Sequence, residues 1–259
     1  MIVDLGILLV VALVINLAMF AVAYKFQTDK LTDISYAVTF VALVLYSLFT
    51  HQLSVAKVVG VVMVCIWAVR LGSFLLYRIR KTGKDSRFDD IRGDFKKFLQ
   101  FWMLQGVSVW VILVPVLLLI TSDQTIFSIV SLAGLLIWMF GLCVEAIADL
   151  QKYHFTSDPA NTDKWIDEGI WKLSRHPNYF GEICVWVGIY LLAVSSLSNW
   201  QVVVAIVSPL FITSLLLFVS GIPKLEQSAD ERWGKSKDYQ AYKRRTSLLV
   251  LSPKRPAKL

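Results

Sequence analysis

The stretch SRHPNYFGE, Ser174 to Glu182, gathers Arg175, His176, Asn178, Tyr179 and Glu182 around one proline and one glycine. A guanidinium and an imidazole at a chain break can bind an anion or polarise a carbonyl. Pro177 fixes its own φ and turns His176 away from helix, so a helix starts at Pro177 or Asn178. The first backbone N–H groups of such a helix lack intrahelical acceptors and attract anions. Asn178 carries both a donor and an acceptor, so it can cap that helix or read a ligand amide. Gly181 permits close backbone approach. A helix cap with a snorkelling Arg and an interfacial Tyr uses the same residues equally well.

Three further clusters carry chemistry. In GLCVEAIADLQKYHF, Glu145 and Asp149 are four apart and share a helix face. Two acids beside a membrane need water, a cation or a ligand; ribose hydroxyls or an amide would serve, and so would an internal ion pair. YQAYKRRT brings Tyr239, Tyr242, Lys243, Arg244 and Arg245 onto one or two helical turns. That mixture suits stacking on and charge pairing with a nucleotide, or a plain amphipathic surface helix. In IWAVRLGSFLLYRIR, Trp67, Arg70, Phe74 and Tyr77 recur at three- and four-residue steps on one face, with Arg70 inside an apolar run. The three His and three Cys are scattered, and their spacing fits no metal site.

The elements that must position these groups are membrane helices. Of 259 residues, 56% are hydrophobic and 17% charged, too apolar for an ordinary soluble domain. Long apolar runs recur at about 2–24, 33–50, 54–78, 101–121, 125–149, 180–198 and 201–221. Each approaches the length needed to cross about 30 Å of hydrocarbon as a helix. The runs are continuous rather than alternating, which favours helices over a barrel. The run from Met1 lacks a basic n-region and a small-residue cleavage site, so it reads as a span and not a cleaved leader. We expect an all-α polytopic helix bundle of about seven transmembrane helices in a single integral-membrane domain, 1–259. Residues 1–124 would form its substrate-side helices and 125–259 its cofactor-binding half.

Basic residues set the orientation. Of the 26 Lys and Arg, all but Lys57 and Arg70 fall in the first, third and fifth connections or in the tail after about 221. The group includes Lys84 and Arg87 in the third connection and Lys254, Arg255 and Lys258 in the tail. That asymmetry places the N-terminus outside, the tail in the cytoplasm, and HQLS, SDQT and SNWQ at outer turns. The net charge of +7 then reflects topology and anionic lipid headgroups, and no nucleic-acid partner is expected. The third connection, RIRKTGKDSRFDDIRGDFKKF, is long enough for a short amphipathic surface helix or a solvated link.

GIWKLSRHPNYFGEICVWVGIYL, with EAIAD before it and YQAYKRRT after it, resembles the steroid 5-alpha-reductase family, in its bacterial branch, over Glu145 to Pro253. Sterol C14 reductases and isoprenylcysteine carboxyl methyltransferases carry a similar RHP-x-Y-x-G and tail. The resemblance implies a lipid-like enone substrate and NADPH bound from the cytoplasmic side, in a bacterial inner membrane. It puts Glu145 and Asp149 at the nicotinamide or ribose. Lys164, Arg175, Asn178, Tyr179 and Glu182 would line the pyrophosphate and nicotinamide region, with His176 beside them. Tyr239, Tyr242, Arg244 and Arg245 would close over the adenosine phosphates. The family's carbonyl-polarising Glu–Tyr pair is not matched: Trp67 stands at the Tyr position, and His51 and Gln52 are the nearest polar groups for the Glu. Tyr77 and Glu182 remain as catalytic candidates. The departure tells against a 3-oxo-4-ene steroid as the substrate and keeps a steroid-like or other lipid-like one. Two alternatives stay open: an S-adenosylmethionine-dependent methyltransferase of an isoprenoid or lipid, and a non-enzymatic lipid-binding membrane protein.

The orientation is testable with fusions. A reporter placed after Leu259 should behave as cytoplasmic, and one placed after Thr121 as external; the reverse pattern would overturn the topology.

Overall fold

The computed structural model describes residues 2–83 and 88–252, without the side chains of Ile2 and Thr82. Lys84, Arg87, Lys254, Arg255 and Lys258 lie outside the described residues. The chain is all-helical, with α1 Ile2–Lys25, α2 Thr32–Phe49, α3 Val55–Thr82, α4 Phe95–Thr121, α5 Ile129–Ser157 and α6 Pro177–Val194. After α6 come α7 Asn199–Ala205, α8 Val207–Ser214, a π-helical turn Leu215–Val219, α9 Ile222–Trp233 and α10 Lys237–Arg245. Among the described residues, seven segments are long and apolar enough to span a membrane: α1 to α6 and the run Asn199–Trp233. The protein is a polytopic integral-membrane helix bundle.

Several helices outrun the apolar stretches that announce them. Asp94 caps α4 by accepting from the backbone N–H groups of Lys96 and Lys97 at 2.9 and 3.1 Å, so KKF joins the first turn of α4. From Asp89 to Gly93 the third connection is a series of turns. α5 continues eight residues past Asp149, because LQKYHF contains no breaker before SDPAN.

The chain divides into two compact units: Met1–Ala133 with Ile189–Ser208, and Gly134–Gly188 with Pro209–Leu259. In the first unit, buried Trp67 of α3 meets Phe40 of α2 edge-on, ring centroids 5.1 Å apart. Burial falls along α3, so Arg70 is half-buried and Tyr77 exposed, with the Lys81 ammonium 5.0 Å from its ring centre. The Gln105 side-chain amide of α4 donates to Asn16 Oδ1 at 3.0 Å and to Ser35 Oγ at 2.9 Å. Asn16 in turn donates to Thr39 Oγ1 at 3.3 Å. With no water in the bilayer core to satisfy amides, this network registers α1, α2 and α4 on one another. Arg92 and Asp29, 3.5 Å apart, tie the first and third connections together, as expected of loops on one membrane face. Away from them, Ser128 and Ser195 hydroxyls meet at 2.6 Å and Ile126 N–H donates to Ser196 Oγ, joining the SDQT and SNWQ turns.

The second unit is built on contact between α5 and α6. Gly134 and Gly141 on α5, and Gly181 and Gly188 on α6, are each two helical turns apart. A Cβ on Gly181 would lie 2.6 Å from the Gly141 carbonyl oxygen, and one on Gly188 would lie 2.6 Å from that of Gly134. The two antiparallel backbones approach this closely only without side chains, the small-residue mode of helix packing in lipid. Gly181→Ala and Gly188→Ala should each cost about 1–3 kcal/mol through overpacking. Gly6→Ala, which meets nothing within 4 Å, should leave thermal unfolding in detergent unchanged.

Candidate functional site

Leu173 to His176 is bound to the tail before α6 begins. Arg175 N–H donates to the Ser247 carbonyl at 2.8 Å, Ser252 N–H to that of Leu173 at 3.2 Å, and the Ser174 hydroxyl to that of Leu249 at 2.7 Å. Ser174 Oγ also accepts from His176 N–H at 3.1 Å. Pro177 then occupies the first helical position, where its missing N–H costs nothing. Asn178 is therefore already inside the helix and is not its cap. Its side-chain amide donates to Asp149 Oδ1 on α5 at 3.4 Å instead.

Glu226 of α9 is where the charges converge. Its carboxylate pairs with the Arg175 guanidinium, accepts from His176 Nε2 at 2.9 Å, and lies 3.2 Å from Lys243 Nζ on α10. Burial holds the His176 imidazole below its ordinary range, against the opposing pull of Glu226. A carboxylate can only accept, so the neutral ring carries its proton on Nε2. The ring stacks on Tyr179 at 5.7 Å. Lys243 also donates to Asp230 at 2.7 Å.

Beside this cluster lies a cavity of about 230 Å³. Its aromatic walls include Trp165, Trp233 and Tyr239, with Trp165 edge-on to Tyr239 at 5.3 Å. Tyr242 also lines it and donates its hydroxyl to the Trp171 carbonyl at 3.1 Å; burial pushes that phenol well above its usual range, so it remains a donor. Lys152, Lys164, Arg175 and Arg232 supply cations, and Glu226 is the one carboxylate among the lining residues.

Residues 19–246 match the family described as "Protein of unknown function (DUF1295)". The chain belongs to this family. No curated protein and no solved structure matches it. The matched region of this DUF1295 membrane protein runs from the second half of α1 to the residue after α10, so it contains the cavity and every candidate residue named above.

The candidates divide clearly. Lys164, Arg175, His176, Tyr239 and Tyr242 line the cavity. Arg244 is exposed and lines a shallow depression that shares Tyr239 with it. Arg245 pairs with Asp167 at 3.1 Å, outside the lining. Glu145 is buried on α5 where Gly181 crosses it, Asp149 is engaged with Asn178, and Glu182 is half-buried on α6. Tyr77 belongs to the first unit. Sequence reasoning missed Glu226, Trp165, Trp233, Lys152 and Arg232. A signal existed for α9: Leu225, Ala229 and Trp233 recur at four-residue steps, with Glu226 flanking that face.

The Asn178–Asp149 contact gives a stability test. Asn178→Ala should cost about 0.5–1.5 kcal/mol, one hydrogen bond. Asn178→Asp sets a second carboxylate against Asp149 and should unfold at the lowest temperature of the three proteins at neutral pH. Equal stability of the Asp and Ala variants would show that the two side chains do not meet.

Proposed function

We propose that the chain is a membrane-embedded, NADPH-dependent reductase of a carbon–carbon double bond conjugated to a carbonyl, in a steroid-like or other lipid-like substrate. The composition of the cavity carries this reading: four cations face it against the single carboxylate of Glu226, between Trp and Tyr walls. Flat bases stack on such walls and phosphates pair with such cations. Two buried donors beside it, Trp165 Nε1 and Arg175 Nε, have no hydrogen-bond acceptor among the described residues, and a phosphate or ribose oxygen would supply one. Drug-sized ligands fill about 300–1,000 Å³, so a cavity of about 230 Å³ suits the adenosine–phosphate end of a dinucleotide. The family resemblance assigns the nicotinamide end toward Asp149, Asn178 and Glu182.

Bound NADPH would supply the hydride. The chain's own part is to bind and orient that cofactor, exclude water, and hold the substrate carbonyl with a donor as negative charge develops on its oxygen. Glu182, in the same unit as the cavity, is the group we assign to proton delivery. Asp167 engages Arg245, and Asp230 and Glu226 engage Lys243, so Arg244 is the cation of YQAYKRRT that we assign to the 2′-phosphate.

One observation favours a second reading. Glu226 beside Arg175 would also suit the ammonium and carboxylate of S-adenosylmethionine, as a methyltransferase requires. The excess of cations argues against it, because that cofactor carries no phosphate.

Thermal shift and direct binding separate the two. NADPH should stabilise the solubilised protein more than NADH. Arg244→Gln should weaken NADPH about 10–100-fold, the equivalent of one charge-assisted hydrogen bond, and leave NADH nearly unchanged. Stabilisation by S-adenosylmethionine with none by NADPH would replace the reductase with the methyltransferase.

A further inference from the structure

Helix α9 forms one wall of the cavity through Leu225, Glu226, Ala229, Arg232 and Trp233. It is held by polar contacts near both ends. Glu226 engages Arg175, His176 and Lys243 near the start. Near the end, Arg232 pairs with Asp163, and Trp233 Nε1 donates to the Asp163 carbonyl at 2.7 Å. Before α9 the helical path is broken twice, by the π-helical turn Leu215–Val219 and by Gly221. A Cβ on Gly221 would lie 2.5 Å from the Leu216 carbonyl oxygen and 3.0 Å from the Tyr179 ring. α9 is thus a short helix, set off by these breaks from the apolar turns before it and fastened to the cavity by charge.

The donors that meet Glu226 come from two other elements, the turn before α6 and helix α10. A guanidinium, an imidazole N–H and an ammonium converging on one pair of oxygens form the coordination that recognises a phosphate. Among the described residues the buried Arg175 Nε has no acceptor, so the carboxylate does not exhaust the donors of that guanidinium.

We propose that Arg175, His176 and Lys243 form a phosphate subsite and that Glu226 is its internal competitor: an entering phosphate exchanges with the Glu226 carboxylate on the same donors and frees the start of α9. The nucleotide reading supplies the source of that phosphate, and the proposal rests on it for that alone. Cofactor entry and the movement of one cavity wall then become a single event. A ligand that brings its own phosphate opens the latch, whereas an uncharged lipid does not.

The experiment compares inorganic pyrophosphate and NADPH on full-length protein in detergent, wild type against Glu226→Gln. Removing the competitor should tighten both ligands at least about 10-fold, since one charge-assisted contact no longer has to be broken. In the wild type, hydrogen exchange over 222–233 should quicken when pyrophosphate is added, a readout that needs no variant to fold. Weaker or unchanged binding of both ligands to Glu226→Gln would overturn the proposal. So would pyrophosphate binding to neither protein, or slowed or unchanged exchange in α9. Tighter pyrophosphate with NADPH bound by neither protein would keep the subsite and remove the nucleotide reading. NADPH binding to the wild type and no tighter to Glu226→Gln would keep the nucleotide reading and remove the competitor.

Discussion

The Glu226 carboxylate joins stretches of chain fifty residues apart: Arg175 and His176 before α6, and its own helix α9, with Lys243 of α10 as a third partner. Each group alone is costly at the edge of an apolar unit. Together they are compensated, because a half-buried carboxylate with several donors loses less on leaving water than one with none. The cavity depends on this junction. Without it α9 would lack its first attachment, and the Arg175 guanidinium would face the like charge of Lys243. The hydrogen bonds that Leu173, the Ser174 hydroxyl and Arg175 make with the tail hold the same region.

Helix packing elsewhere follows from the lack of a hydrophobic drive between apolar helices in lipid. The second unit answers with glycines, and α5 and α6 approach until backbone meets backbone. The first unit answers with a side-chain hydrogen-bond network around Asn16 and Gln105, and with edge-on aromatic contacts at Trp67. The glycine contacts also affect the site. They bring Glu145 and Asp149 of α5 against the first turns of α6, so two acids that a helical wheel places on one face are met by Gly181 and Asn178.

Membership of the DUF1295 family defines a membrane protein and leaves the chemistry to be argued from the cavity. Its lining combines stacking surfaces, four cations and, among the described residues, buried donors without acceptors, and our proposal of a nucleotide site rests on that combination. Several residues that the family resemblance assigns to the cofactor lie outside that lining, among them Asp149, Asn178 and Glu182. A dinucleotide longer than the cavity would span that difference, with its adenosine end in the cavity and its nicotinamide end along α5 and α6.

Membrane helices, their number and the clustering of cations at alternate connections were legible in the sequence, because hydropathy and charge act residue by residue over long windows. The Ser174–Glu182 stretch was legible as a break where a helix starts, since proline restricts its neighbours locally. Which polar group faced which was not. The sequence permitted Asn178 as a cap, but Pro177 took the first helical position, and Asn178 turned to α5. Lys243 and Arg245 read as free cations, and acids thirteen and seventy-eight residues away claimed them. Glu226 drew no attention among the charges of an amphipathic segment, because its importance comes from Arg175 and His176, and no local pattern encodes a meeting across fifty residues. Local sterics and hydropathy, which act through near neighbours, determined the elements; the pairing of charges, which follows only from how those elements pack, was decided by the tertiary structure.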